Sequence, residues 1–357
     1  MKEKIIVTGG TGYIGSHTAV ELITAGFDVV IIDNLYNSDI SVLDGIRSIT
    51  GVTPKFYNFD LCDSQKLEEL FRAEGKVDAI IHFAAYKAVG ESVMKPLVYY
   101  RNNLTSLMNL LGAMEQHNTP SLVFSSSCTV YGQPDTLPVT ESSPVKDAAS
   151  PYGYTKQAGE VIIRDTMASR PEQKAISLRY FNPIGAHPTA FIGELPRGVP
   201  ENLVPFITQT AIGLREELKV FGTDYDTPDG SCIRDYLHVV DLAKAHVVAL
   251  KRLLSGENKA NYEVFNLGMG KGVSVLEAIA AFEKATGVRL NYSVTGRRAG
   301  DIEKIWADPS LANRELGWKA GITIEEAMET AWRWENRLKN KLKKEYHEQE
   351  IQIQILR

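Results

Sequence analysis

Short, nearly continuous apolar runs alternate with longer stretches of helical periodicity through the first half of the chain. The runs Lys4–Thr8, Asp28–Asp33, Lys55–Asp60, Val77–Phe83, Ser121–Ser126 and Ala175–Tyr180 predict strands. Between them, Ile14–Thr24, Ser64–Ala73, a long segment near Val98–His117, and Pro151–Ala168 predict helices. Strands that are apolar throughout must be covered on both faces, which calls for a parallel sheet with helices above and below. Gly26 falls where the first helix should stop. The expected fold is α/β, a Rossmann-type doubly wound parallel sheet over residues 1–181.

After Tyr180 the texture changes. The stretch from Asn182 to Gly230 is rich in Pro and Gly, with one clear helix at Leu203–Leu214 and a strand at Leu218–Gly222. Helices follow at Asp241–Leu254, with Asp241 as N-cap, and at Ser274–Thr286; strands follow at Val264–Leu267 and Arg289–Val294. A last amphipathic helix begins near Ile324. This pattern predicts a smaller mixed α/β C-terminal substrate-binding lobe, residues 182–338, packed on the carboxyl ends of the main sheet, with some elements returning to the first domain. Residues 339–357 are charged and then alternate Gln with Ile, an extension to which no chemistry is assigned.

Composition narrows the function classes. The chain has 357 residues, is 44% hydrophobic and 23% charged, and carries a net charge of -5, an ordinary globular balance. With no basic excess, phosphate-backbone binding is disfavoured and no nucleic-acid partner is expected. Cys62, Cys128 and Cys232 lie far apart, as free thiols in a reducing compartment would, and nothing has the ligand spacing of a zinc site. Met1-Lys2-Glu3-Lys4 leads straight into a strand, and apolar runs such as Val77–Ala85 are too short to span a bilayer. A cytoplasmic protein without membrane attachment or metal is expected.

The first chemical signal is Thr8-Gly9-Gly10-Thr11-Gly12-Tyr13-Ile14-Gly15, between the first strand and the first helix. Gly9 permits a tight turn, Gly12 lets the backbone approach a pyrophosphate, and Gly15 lets helix and strand pack closely. The helix opening at Tyr13 and Ile14 then offers unpaired N–H groups and partial positive charge to phosphates. Asp33, followed by Asn34, ends the second strand; an acid there accepts from ribose hydroxyls and repels a 2′-phosphate, so NAD is favoured over NADP. Asp60-Leu61, after the third strand, suits the adenine edge by the same geometry.

The second signal is Ser150-Pro151-Tyr152-Gly153-Tyr154-Thr155-Lys156. Ser150 reads as an N-cap and Pro151 as the first turn, which puts Tyr152 and Lys156 on one face. A nearby ammonium stabilises phenolate and should bring the tyrosine toward neutrality as an acid/base. Tyr154 has Ala158 four residues on, so Tyr152 is the better candidate. Upstream, Ser125, Ser126 and Ser127 end a central strand, where hydroxyls point into the ligand cleft, and Ser127 is placed to bond a substrate oxygen.

These segments, with IIDNLYNS, HFAAYKAVGESV, YYRNNL, SSSCTVYG, RYFNPIGAHP, DYDTPDGSCIRDYLHVVDLA and YEVFNLGMGKGVSVLE, resemble the UDP-galactose (UDP-glucose) 4-epimerase family of extended short-chain dehydrogenases/reductases, in unbroken order to about Trp318. The resemblance implies reversible C4 epimerisation of a UDP-hexose through a 4-keto intermediate, with hydride passing transiently to tightly bound NAD. It implies that Tyr152 moves the 4-hydroxyl proton, Lys156 supports Tyr152 and bonds the nicotinamide ribose, and Ser127 assists at the 4-oxygen. On the cofactor side it adds Asn37, Ser38, Phe83, Ala84, Ala85, Lys87, Asn102, Ser125 and Tyr180. On the substrate side it implies Asn182, Asn202, Leu203, Phe221, Arg234, Arg298, Asp301 and Ile305, together with Lys87, Ser127, Tyr152 and Tyr180. Read without the family, Arg234-Asp235 is a local salt bridge. A homodimer through the long helices near Val98–His117 and Pro151–Ala168 is also implied.

Some positions depart from the family pattern. Ala85-Tyr86 replace a common Gly-Leu, Cys128 a usual Ala, and Ala299 a typical Glu. Ile305 stands where the family gates N-acetylated sugars with a large Tyr or a small Cys or Ser. UDP-glucose and UDP-galactose are the expected substrates, with N-acetylhexosamine turnover the alternative. A 4,6-dehydratase needs an Asp-Glu pair where Cys128-Thr129 stands, and no motif announces a cation for a uronate carboxylate. A non-catalytic NAD-sensing regulator on the same fold is the rival from another class, disfavoured because Tyr152 and Lys156 are both kept.

Overall fold

The first strand, β1 (Lys4–Thr8), sends Ile5 and Val7 to one face and Ile6 to the other, and two separate cores form around them. In this computed structural model, residues 2–298 and 301–355 are described, with side chains to Lys341; Ala299 lies outside them. The chain continues through α1 (Tyr13–Thr24), β2 (Asp28–Asp33), α2 (Val42–Thr50), β3 (Lys55–Asn58), α3 (Ser64–Glu74) and β4 (Ala79–His82). Then come α4 (Val89–Met94), α5 (Pro96–Gln116), β5 (Ser121–Ser125), α6 (Pro151–Ser169) and β6 (Lys174–Tyr180). The remaining elements are β7 (Asn182–Ile184), α7 (Leu203–Ala211), β8 (Leu218–Phe221), β9 (Ile233–Arg234), β10 (Tyr236–His238), α8 (Val239–Ser255), β11 (Tyr262–Leu267), β12 (Val273–Ser274), α9 (Val275–Thr286), β13 (Tyr292–Thr295), α10 (Ser310–Glu315) and α11 (Ile324–Ile355).

Seven strands form one sheet in the order β11-β6-β5-β4-β1-β2-β3, and every pairing in it is parallel. Ile6 sits between Val30 and Ile80, and Val7 between Ile31 and Ile81. Residues of α1, α2 and α8 cover the Ile5/Val7 face, and residues of α3, α5 and α6 the Ile6 face. At about 1.5–3 kcal/mol per large aliphatic side chain removed from water, these two layers dominate the stability of the sheet. The direction of winding reverses between β1 and β4, and ligands of such sheets bind at the carboxyl ends beside that switch.

The chain after Tyr180 contributes to both parts of the molecule. Its β11 closes one edge of the main sheet against β6, and α8 packs on α1. A third core gathers α7, β8, β10, α9 and the first turns of α11. The backbone of α11 continues to Ile355. Three helices, α2, α4 and α10, were not legible from periodicity. The strands predicted at Lys55–Asp60 and Val77–Phe83 are shorter than expected, and the one predicted at Arg289–Val294 forms at Tyr292–Thr295, where it pairs with β8.

Two local expectations are corrected. Asp241 lies within the first turn of α8, whose N-cap is His238; its carboxylate instead accepts from the backbone N–H groups of Gly321 and Ile322 at 2.8 and 2.9 Å. Asp235 is no surface partner of Arg234. It is fully buried and accepts from the N–H groups of Met269, Gly270 and Ala307. Three backbone donors satisfy a carboxylate whose alternative inside the fold would be an unpaired charge.

Candidate active site

The glycine turn is built by contact. Gly9 has φ +68°, a conformation that favours glycine, and a Cβ there would stand 2.8 Å from the Ala84 nitrogen. A Cβ on Gly15 would stand 2.2 Å from the Gly9 carbonyl oxygen. No side chain caps α1 at Gly12, so the first-turn N–H groups after Gly12 face the cleft end without a competing acceptor. The Tyr13 hydroxyl turns away and donates to the Gly185 carbonyl at 2.6 Å; Ile14 packs on the sheet. This cradle, closed to any side chain and open to an anion, fits a dinucleotide.

The acids fall at neighbouring strand ends. Asp33 accepts from the Thr11 N–H at 3.2 Å, the Leu35 N–H at 2.9 Å and the Ser38 hydroxyl at 3.0 Å, so it is tied to the glycine turn. Asn37 lies in the same loop. Asn34 donates to Asp60 at 3.0 Å, which also accepts from the Cys62 N–H; Leu61 is buried behind it. After β4, the Ala84 N–H donates to the Thr8 hydroxyl at 3.3 Å, and Phe83, Ala84 and Ala85 follow the strand next to β1. Asn102 lies on α5, where it donates to Asn103. Tyr86 is held in both directions by Asn103, and its ring lies 4.5 Å from that of Tyr36, tilted by 36°.

The tyrosine–lysine pair comes from α6. Ser150 caps the helix through the Gly153 N–H at 3.1 Å, and Pro151 occupies its first turn, as expected. Lys156 is buried; its ammonium donates to the Ser125 carbonyl at 2.6 Å and lies 5.9 Å from the centre of the Tyr152 ring. Burial pushes Lys156 down to about 8, with Glu160 opposing the change. Burial also pushes the Tyr152 phenol up, while the Ser127 hydroxyl beside it works the other way. Desolvation of the ring thus dominates the phenol, against the lowering expected from a neighbouring ammonium. Ser127 is buried and accepts from the Thr129 N–H at 3.2 Å. The Ser125 and Tyr180 hydroxyls bond each other.

The substrate-side candidates also converge, over long sequence distances. Arg298 donates to Asp301 at 2.6 and 3.1 Å and lies 5.5 Å above the Phe221 ring. Arg234 reaches the same Asp301 oxygen at 4.0 Å. Ile305 is buried with Val130, Tyr131, Val139 and Phe181, against which Cys128 and Ile302 also pack. This cluster joins the turn after Ser127 to the Asp301–Ala307 segment. Asn202 is the N-cap of α7, just before Leu203, and its amide donates to Glu194 at 2.6 Å. Glu194 also lies 3.5 Å from Lys87. Glu194 was missed because it sits in the Pro/Gly-rich loop, where no period or spacing marks it. Asn182, in β7, pairs with β10.

Among the described residues no cluster of His, Cys, Asp or Glu could hold a metal ion, and no helix is long and apolar enough to cross a membrane.

Residues 5–268 match the NAD dependent epimerase/dehydratase family. The chain is 49% identical over 334 residues to the UDP-glucose 4-epimerase of Dictyostelium discoideum, covering 94% of this chain and 96% of that protein. The UDP-glucose 4-epimerase structure from Bifidobacterium longum in complex with NAD+ and UDP superposes with a TM-score of 0.89 at 46% identity, covering 94% of this chain and 98% of that one. The enzyme from Stenotrophomonas maltophila, with bound NAD and formylated UDP-arabinopyranose, gives a TM-score of 0.91 at 47% identity over 95% and 99% of the two chains. An uncapped glycine cradle, a half-buried tyrosine with a buried lysine beside serine hydroxyls, and two arginines gathered on one aspartate thus stand in a chain that belongs to the NAD dependent epimerase/dehydratase family, among its UDP-glucose 4-epimerases.

Proposed function

We propose that the chain interconverts UDP-galactose and UDP-glucose by inverting C4 of the hexose, using NAD held at the carboxyl ends of the sheet. One observation carries this reading: half-buried Tyr152, with buried Lys156 and Ser127, is joined through Cys128 and Val130 to the Asp301–Ala307 segment, which follows the two arginines suited to a pyrophosphate.

The N–H groups after Gly12 would take the NAD pyrophosphate, Asp33 the adenosine ribose, Asp60 and Leu61 the adenine, and Lys87, Tyr180 and Lys156 the nicotinamide end. When bound, NAD supplies a hydride acceptor and donor and the positive charge of its oxidised ring. Tyr152 takes the proton from the sugar 4-hydroxyl and returns it, as a positioned phenol does in general acid–base catalysis. Ser127 holds the same oxygen by a hydrogen bond, and Lys156 supports the phenolate by charge. Inversion requires the 4-keto sugar to present its other face, so its anchor must stand away from the reacting ring. Arg234 and Arg298, planar and permanently charged, suit the pyrophosphate in that role, and Phe221, Asn182, Asn202 and Leu203 bound the uridine side.

A second copy of the chain is proposed against α5 and α6, where Leu97, Met108, Tyr154 and Val161 are 74%, 51%, 52% and 44% exposed. A monomer mass at micromolar concentration in light scattering would remove this part.

The test of the main reading mixes the protein with UDP-galactose and UDP-N-acetylgalactosamine, adds no NAD, and follows both anomeric signals by NMR. UDP-glucose appearing alone supports the proposal and a retained cofactor. UDP-N-acetylglucosamine appearing as well widens the substrate range. No change in either sugar, even with NAD supplied, sinks the epimerase reading.

A further inference from the structure

Glu160 lies one helical turn beyond Lys156 on α6, buried, and is not part of the group that faces the sugar. It accepts from the Ser126 hydroxyl at 2.5 Å. Its two oxygens also accept from Arg179 of β6, at 2.9 Å from Nε and 2.6 Å from Nη2. The third guanidinium nitrogen donates to the Tyr131 hydroxyl at 3.0 Å, and that hydroxyl donates to Asn266 of β11 at 2.6 Å. Asn266 donates in turn to the Val139 carbonyl at 3.1 Å. Val139 bridges Ala307, and its N–H donates to the Trp306 carbonyl. A continuous buried chain of polar contacts therefore runs from the tyrosine helix to the segment that carries Ile305.

Three successive serines show how this bears on the reaction. The carbonyl of Ser125 is taken by Lys156, the hydroxyl of Ser126 by Glu160, and Ser127 is left to face Tyr152. We propose that Glu160 is a positioning residue: with Lys156 it clamps the Ser125–Ser126 backbone to α6, and so fixes Ser127 relative to Tyr152. This rests on the epimerase reading above. A charge is needed here beyond mere packing, since the same carboxylate binds Arg179 bidentately, the most directional of ion pairs, and stands one turn from the Lys156 ammonium. The titratable groups around that ammonium are Tyr152 and Glu160 on its own helix and His82 from β4, the last held neutral by burial. Arg179 and Tyr131 lie on the far side of Glu160.

Three variants of the full-length protein test the assignment: S126A, which removes the tether alone, E160Q, and E160Q/R179M, which leaves no unpaired charge. The readouts are melting temperature, bound NAD, kcat and KM for UDP-galactose, and the pH dependence of kcat. S126A is expected to melt as wild type and keep its NAD, but to lose about tenfold in kcat with KM unchanged, an interaction expressed in the transition state. E160Q is expected to lose more, with the alkaline limb of kcat moved to lower pH, because removing a carboxylate near an ammonium makes the ammonium a stronger acid. In E160Q/R179M the melting temperature returns toward wild type while kcat and the limb do not. Wild-type kcat in S126A, or kcat recovering together with stability in the double variant, overturns the assignment and leaves the pair purely structural. A wild-type protein inactive with NAD supplied would overturn the epimerase reading itself, before any variant is compared.

Discussion

The Lys156 ammonium donates to the carbonyl oxygen of Ser125 at 2.6 Å while the ring of Tyr152 lies 5.9 Å away. The lysine thus fastens α6 to the end of the strand that delivers Ser127. Its burial holds it down to about 8, so the ammonium form predominates below that pH and is lost above it. If the ammonium is required, its loss gives kcat an alkaline limb as pH rises through about 8. A pH profile of kcat at saturating UDP-galactose checks this, and the same profile for Lys156→Met should be lower by about 10²–10⁴-fold without that limb.

Tyr152→Phe removes the proton carrier and leaves the ring. The expected outcome is a loss of about 10²–10⁴ in kcat, with wild-type melting and undiminished NAD content. Activity within a factor of two of wild type would assign the proton transfer to another group.

Gly15→Ala is expected to fail on geometry, since its Cβ would lie 2.2 Å from the Gly9 carbonyl oxygen and 2.9 Å from the Gly10 Cα. Both are backbone atoms with no rotamer to yield. A stability loss of about 1–3 kcal/mol is expected from overpacking, with NAD absent from the purified protein. Urea unfolding and the absorbance of released cofactor measure the two effects.

Ile305→Ser tests the sugar pocket. Ile305 is 2% exposed, among Val130, Tyr131, Val139, Phe181 and Ala307. Removing most of its side chain should cost about 2–5 kcal/mol, as other buried aliphatic truncations do. UDP-N-acetylgalactosamine turnover should rise relative to UDP-galactose. An unchanged ratio in mixed-substrate NMR would place the discrimination elsewhere.

Acid should weaken the fold before most carboxylates titrate. Burial holds His17 and His82 down to about 3, and His238 and His246 to about 4. Between the unfolded value near 6.5 and these folded values the unfolded chain binds more protons. Stability is therefore full above about 6.5 and declines as pH falls, by up to about 1.4 kcal/mol per histidine per pH unit. Asp235, pushed up to about 6 by burial, acts in the opposite sense and offsets part of the loss. Melting temperatures at pH 7, 6 and 5 should decrease in that order; a flat series contradicts the argument.

Local chemistry made much of this legible in advance. Apolar runs, the glycine turn, the Ser150-Pro151 helix start and the Tyr152–Lys156 spacing depend on neighbours within one or two turns, and the structure places them as read. Asp241 and Asp235 were misread because their partners, Gly321 and Ile322 for one and Met269, Gly270 and Ala307 for the other, are distant in sequence. Backbone donors so far along the chain leave no local pattern. Glu194, held by the Asn202 amide and near Lys87, lies in the Pro/Gly-rich loop, where no period marks it.

The sequence by itself determined the parallel sheet, the glycine turn and the candidate tyrosine, lysine and serine, since period and spacing are properties of a segment. Only the tertiary structure decided what each of those groups spends its hydrogen bonds on and how its proton affinity shifts. It turned the Lys156 ammonium to Ser125, raised the Tyr152 phenol, and threaded Glu160, Arg179 and Tyr131 into one buried network. Desolvation and partner choice are set by everything that surrounds a group, and in this fold those surroundings come from five strands and helices that meet only when the sheet is closed.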